Sequence, residues 1–379
     1  MKVHLLALIC IAVLCTTLWL GLWPFHAPKN DVSWLANQNG LLLGKNATLF
    51  NSRSLQTTSP EDSPEVSVEI WLLPRRIWDS GTFLAFYHSG SRSQFTLRQS
   101  QTDLLVQTET QNESPTQKGF YVDDLFRPRR PVFITVTSSQ QGTCIYLDGV
   151  LAKTAPHFPL SAKTLTGRLI VGDSAWQTDS WQGRILGLAI YHQQLTPKDV
   201  LQNYTAWKEK GQPEITEQEH NVALYLFDEH TGSVVHDKCG AGVDLYLPPR
   251  YQVIDKIALQ PFWTEFSMTR SYWSAALKNI VGFIPFGFCF YAYLSALRLK
   301  RAGLITVALG TAVSLTIEVL QAFLPTRDSG TTDIITNTIG TWIGAALYSW
   351  LAPILTRFLP WMVLSSSLRG DRRRSIISW

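Results

Sequence analysis

Four long apolar runs punctuate this chain: residues 5–23, then 279–297, 302–324 and 334–355 in quick succession. Each matches the ~20 residues needed to cross a hydrocarbon core. Residues 24 to 260, between the first run and the rest, hold most of the charge and no further spanning run. Over 379 residues only 16% are charged, against roughly 25% in soluble domains. The balance of 33 Lys+Arg and 29 Asp+Glu, net +4, is too mild for a nucleic-acid footprint. No nucleic-acid partner is expected.

The first run ends in bulky residues (Leu18, Trp19, Leu20, Leu22, Trp23), with no small-residue cleavage site, so it reads as an uncleaved anchor. Basic residues cluster between the second and third runs (Arg298, Lys300, Arg301) and after the fourth (Arg357, Arg369, Arg372, Arg373, Arg374). Short basic loops stay cytoplasmic whereas long domains cross regardless of charge. The expected protein is therefore multi-pass in the plasma membrane, with both termini cytoplasmic and the large domain and loop 325–333 outside. The segment 358–364 is too short to cross.

The exported region reads as short strands. Val66-Ser67-Val68-Glu69-Ile70-Trp71 alternates apolar and polar with period two, and residues 132–137 and 144–147 do the same. Asp148-Gly149 reads as a hairpin turn. Thr196 followed by Pro197 predicts a short helix over 197–208. Gly167-Arg-Leu-Ile-Val-Gly172, Trp181-Gln-Gly-Arg-Ile-Leu-Gly-Leu-Ala-Ile-Tyr191 and Leu195-Thr-Pro-Lys-Asp-Val200 resemble a concanavalin A-like (laminin G-like) jelly roll. Tyr225-Leu-Phe-Asp-Glu-His-Thr-Gly232 looks like that family's opening strand placed late. The order is thus permuted, or the last strands pair back onto the first. The fold class expected is an all-β sandwich joined to an α-helical transmembrane bundle of about four spans. The expected domains are an anchor (1–25), a sandwich (30–250), a membrane domain (262–364) and a basic cytoplasmic tail (365–379).

Core packing is the ordinary role for Trp71, Trp78, Trp176 and Trp181. Trp176 and Trp181, in the turn-rich stretch 173–182, are the best candidates for a glycan platform. Asp173 and Asp179 are better read as solvated loop carboxylates than as calcium ligands. Cys144 and Cys239 are the two exported cysteines, and an oxidising compartment would permit a disulfide between them. Sequons stand at Asn46, Asn112 and Asn203. No glycosidase-like carboxylate pair, metal-ligand spacing or cofactor motif is visible, so no catalytic residue, metal or cofactor is assigned.

Ionisable residues inside spans are costly and mark function by default. Ser314, Glu318 and Gln321 share one helix face, and Asp333, Asn337, Gly340 and Gly344 form a stripe on the next span. With Arg327 and Asp328 between them, and Lys278 and Asn279 opposite, these groups fall at one outer-leaflet cluster. Asn279-x-x-Gly282-Phe-Ile-Pro285-Phe-Gly-Phe288, Ser314-x-x-x-Glu318-x-x-Gln321-x-Phe323-Leu-Pro-x-Arg327 and Asp333-x-x-x-Asn337-Thr-x-Gly340-x-x-x-Gly344 resemble the VanZ-like family. That resemblance implies a bacterial cell-envelope membrane protein and supplies no reaction.

The expected ligand site comprises Asn279, Glu318, Gln321, Arg327, Asp328, Asp333 and Asn337. It would bind the polar head of a membrane lipid or lipid-linked saccharide, with Arg327 on phosphate. The sandwich would bind an envelope glycan or a protein partner. Three alternatives stay open at this point. Glu318 could pair with Arg327 or Lys278 merely to hold the bundle; Glu318 or Asp333 could be the general base of an enzyme acting on a lipid-linked precursor; or Glu318 could be the proton site of a small transporter.

Overall fold

The computed structural model describes residues 2–56, 65–111, 116–213, 221–239 and 243–358. The stretch 359–364, the basic tail and the sequon at Asn112 lie outside them. Two compact units emerge: Ala27–Lys256, and Met1–His26 together with Ile257–Trp379.

The first unit is built from two antiparallel sheets, each of eight strands among the described residues. One runs in the order Val32–Trp34, Leu41–Leu43, Gly183–Tyr191, Val66–Pro74, Val132–Ser139, Gly142–Leu147, Val150–Ala155, with Asn221–Tyr225 also paired to Gly183–Tyr191. The other runs Val234–Val235, Leu245–Tyr246, Leu49–Asn51, Arg168–Val171, Ser80–His88, Ser93–Ser100, Asp103–Thr110, Thr116–Val122. The late strands thus pair back onto earlier ones, Leu245 opposite Asn51 and Leu224 opposite Ala189. The expected hairpin is present, with Asp148 (φ 49°) and Gly149 (φ 82°) both left-handed, as a type I′ turn demands. Alternate residues of the inner faces, among them Val68, Ile70, Phe83, Leu97, Val106, Ile134, Ile185 and Leu188, form one continuous core.

Helix α1 is Lys2–Leu22 and α2 is Pro197–Lys210. The Thr196 side chain caps α2 by accepting from the Asp199 amide, while the Asp199 carboxylate accepts from the Thr196 amide at 2.9 Å. Helix α2 lies on the outer face of the first sheet, where Trp207 and Val200 join Phe133, Tyr146, Tyr191 and Leu224. Gly187 makes the room, since a Cβ there would meet the Trp207 ring at 2.2 Å. Beneath the helix the buried Glu69 carboxylate accepts from Tyr191 (2.8 Å), Asn203 (3.1 Å) and Trp207 (3.3 Å). These three donors anchor α2 to the sheet.

The second unit contains α1 with α3 (Phe262–Glu265), α4 (Arg270–Ala296), α5 (Ala302–Gln321) and α6 (Thr331–Phe358). Among the described residues three helices are long and apolar enough to cross a membrane, over Val3–Leu22, Tyr272–Ala296 and Ala302–Gln321. Helix α6 is not in that set; Asp333, Asn337 and its threonines and glycines dilute the apolar character of its first half. Its burial pattern accounts for this. The inward face carries Thr336, Asn337, Gly340, Thr341, Gly344 and Ala345, and the outward face Ile335, Ile339, Trp342, Leu347 and Trp350. Helix α5 is inverted in the same way, burying Thr306, Gly310, Ser314, Glu318 and Gln321 while exposing Leu304, Leu309, Leu315 and Val319. Apolar outside and small or polar inside is how a helix bundle solvated by lipid is arranged.

Helices α4 and α6 run in the same direction and nearly touch. A Cβ on Gly340 would lie 2.2 Å from the Ile280 carbonyl, and one on Gly344 2.1 Å from that of Ile284. Helices α1 and α5 run the opposite way, with Cys10 donating to the Cys289 carbonyl at 3.3 Å and Gly21 against Ile317.

Candidate functional site

The stripes of α5 and α6 meet along one seam. Asn337 donates to the Ser314 hydroxyl at 2.9 Å, and one turn deeper Thr311 and Thr338 hydroxyls stand 3.0 Å apart. At the end of α5 the chain folds back over Glu318: Ser329 donates to the Glu318 carbonyl (2.7 Å), and the Gly330 amide donates to the Glu318 carboxylate (2.9 Å). A backbone amide therefore holds that buried carboxylate. Glu265, on α3, accepts from the Thr332 amide at 3.0 Å, where the unsatisfied amides of α6 begin. Asp333 takes a hydrogen bond from Asn279 on α4.

Helix α1 joins through its last turn. The Gly21 carbonyl has no intrahelical donor left to it at that position, and it accepts from Gln321 (2.7 Å) and Arg327 (3.3 Å). Between the four long helices lies a cavity of about 600 Å³, within the range of small-ligand sites. Its polar wall carries Lys278, Asn279, Glu318, Gln321, Arg327, Asp333 and Asn337. Its apolar wall includes Ile9, Val13, Leu20, Phe283 and Ile317.

Six of the seven residues expected in the cluster thus line one cavity. Asp328 does not; it sits in the turn after α5 with its side chain exposed. Glu265 and Gly21 were missed. Glu265 sits far upstream in a four-residue helix, and Gly21 contributes a carbonyl that no side-chain pattern announces.

The sandwich corrects four expectations. Trp181 is 1% exposed, packs edge-on against Phe83 and donates to Gln99 at 2.7 Å; Trp176 is 4% exposed and stands edge-on to Tyr87. Neither presents a ring to a sugar. Trp78, expected in the core, is instead 71% exposed. Cys144 and Cys239 are free thiols. The register leads from Cys144 to Thr137, Ser67, Tyr191 and Asn221, and Cys239 follows Lys238, whose amide bonds Leu224. Four strand spacings amount to about 19 Å, far beyond disulfide reach.

Asp173 and Asp179, expected as solvated loop carboxylates, are instead engaged within the protein. Asp173 accepts from the amides of Ser174 and Asp179 (both 2.8 Å), from Ser180 (3.0 Å) and from Tyr251, and burial pushes its carboxyl up to about 7. Asp179 holds Arg98 through two bonds of 2.9 and 3.0 Å. This pair borders a concave pocket of about 400 Å³ on the second sheet, lined also by Gln94, Gln107, Gln117, Glu109 and Tyr121. Glu109 accepts from Gln94 (2.9 Å) and Gln117 (3.1 Å), and burial raises its pKa. Amides, a carboxyl and a tyrosine in one groove provide the mixed donors and acceptors that a polyhydroxylated ligand needs.

A lipid-solvated helix bundle and a jelly-roll sandwich on one chain define a membrane protein with a lectin-like domain. The family comparison agrees: residues 232–352 match the VanZ/LLP1 family, and residues 45–201 match the concanavalin A-like lectin/glucanases superfamily. The chain therefore combines a VanZ-like domain with a concanavalin A-like one. No curated protein matches it.

Among solved structures it is similar to a heptameric SAP-like pentraxin from Limulus polyphemus, at 12% identity over 59% of this chain and 95% of that one, TM-score 0.35. A putative carbohydrate binding protein from Bacteroides ovatus matches at 12% identity over 60% and 62%, TM-score 0.36. The Ruminococcus gnavus IT-sialidase CBM40, bound to alpha2,3 sialyllactose, matches at 12% over 43% and 95%, TM-score 0.34.

Proposed function

We propose that this is a cell-envelope membrane protein whose cavity binds the polar head of a membrane lipid or lipid-linked saccharide, and whose exported sandwich binds glycan. In this reading the spans are α1, α4, α5 and α6, both termini are cytoplasmic, and the cavity mouth opens at the outer leaflet. The observation that carries it is the convergence of Lys278, Asn279, Glu318, Gln321, Arg327, Asp333 and Asn337 on one cavity with an apolar wall. Arg327 and Lys278 supply the positive charge that a phosphate requires, and Glu318, Asp333 and Asn337 accept from hydroxyls. The polar groove beside Arg98 and Asp179 supports the glycan-binding role of the sandwich, in place of the buried tryptophans.

Native mass spectrometry of the full chain in mild detergent tests the lipid site, with Glu318→Gln and Arg327→Ala alongside. A retained lipid or lipid-linked saccharide that disappears from both variants is expected. Identical adducts on all three proteins, with the variants melting several degrees lower, would make the cluster purely structural.

A further inference from the structure

The cavity is elongated and chemically lopsided. Along α1 it is lined from Ile9 to Gly21, twelve residues and so about 18 Å of helix. One end holds the Gly21 carbonyl, Arg327 and Asp333; the other holds Ile9 and Pro285. On α4, Gly282 faces this space with no atom within 4 Å of where its Cβ would stand. We infer that the gap between α1 and α4 is a lateral slot for one hydrocarbon chain of a phosphate-headed membrane lipid, reached from within the bilayer. This rests on the head-group reading and adds how the ligand enters and what tail it carries.

Two further observations point to such an occupant. Lys278 lines the cavity with an exposed side chain, immediately before the apolar run 279–297 and so at its outer end. A cation at that level is placed to meet the phosphate of a lipid head. Asn337 is 5% exposed, lines the same cavity, and its Oδ1 has no hydrogen-bond partner among the described residues. A buried acceptor of this kind calls for a donor, which a hydroxyl on the lipid head supplies. The site thus matches an amphiphile in order along its length: hydroxyl and phosphate at the polar end, chain beside Gly282.

The test uses the full chain in phosphatidylcholine vesicles with phosphatidylglycerol carrying a photoreactive diazirine midway along one acyl chain. Labelling of Ile9–Val13 and Gly282–Phe286 peptides is measured relative to the lipid-facing Trp342–Leu347 peptide. Gly282→Leu should lower that ratio about tenfold while the melting temperature holds or rises, because leucine fills open space and favours helix. An undiminished ratio in Gly282→Leu overturns the slot.

Arg327→Ala separates the two readings. A loss in both variants supports slot and head site together. A loss in Gly282→Leu alone supports the slot and refutes the head-group assignment. A loss in Arg327→Ala alone refutes the slot and keeps the head site.

Discussion

Replacing Gly344 by alanine tests whether the α4–α6 contact is what holds the two polar stripes in register. The added Cβ would stand 2.1 Å from the Ile284 carbonyl and 2.8 Å from the Phe288 amide, both rigid helix backbone. Ordinary contact begins at 3.4 Å, so α6 must move by about 1.3 Å at that turn. Overpacking of this kind costs about 1–3 kcal/mol, and a clash with backbone belongs at the upper end. The better helix propensity of alanine returns about 1 kcal/mol, leaving a net loss of about 2 kcal/mol.

Gly282→Ala is the matched control, with the same gain in propensity and open space for the methyl. It should be more stable than wild type by up to about 1 kcal/mol. Thermal melting of the full chain in one detergent should therefore order the proteins Gly282→Ala, wild type, Gly344→Ala, the last several degrees below the first. The displaced α6 also carries Asp333 away from Asn279, so lipid retention should fall in Gly344→Ala. If Gly344→Ala melts with or above Gly282→Ala, the close α4–α6 approach is not what the bundle depends on.

Four other outcomes are expected. Glu69→Leu removes the acceptor shared by Tyr191, Asn203 and Trp207, at about 1–3 kcal/mol per buried donor, so denaturant melts should show a loss of about 4 kcal/mol; a loss below about 1 kcal/mol would mean α2 is held by packing alone. Asp173 has its carboxyl raised to about 7 in the fold, against about 3.9 unfolded, so the folded state holds the proton more tightly and stability falls as pH rises from about 4 through 7. The sandwich should then be more stable at pH 5 than at pH 8 by about 2–3 kcal/mol, and Asp173→Asn should flatten the profile. Reductant should leave the melting temperature unchanged, since Cys144 and Cys239 are free; a shift of several degrees would show a bond between them. On a glycan array, Gln107→Ala should weaken binding about tenfold without altering the melt, and unaltered binding would move the site away from the concave groove.

The sequence carried the bundle well because lipid solvation leaves a one-dimensional trace: apolar runs of fixed length, interrupted only where side chains face inward. Glu318, Gln321, Asp333 and Asn337 stood out for that reason, and they do line one cavity. Asp328 shared their neighbourhood in sequence but lies on a turn, where proximity along the chain says nothing about direction. In the sandwich, alternation revealed strands but not their neighbours. Gln94, Thr96 and Arg98 alternate with core residues Phe95 and Leu97, and their partners Glu109 and Gln107 become visible only once the register is known. A groove made of amides on adjacent strands is legible in pairs, not in one strand. The tryptophans misled because a turn-rich stretch looks exposed, whereas Asp173 folds that stretch inward by accepting its amides.

The claim that the cavity is a lipid head-group site is tested most directly by a structure of the full chain crystallised from a lipid mesophase doped with phosphatidylglycerol. The account predicts phosphate density within hydrogen-bond distance of Arg327, a hydroxyl on Asn337 Oδ1, and a chain running past Gly282 between α1 and α4. A cavity filled only by ordered water, with lipid confined to the outer faces of the helices, would contradict it.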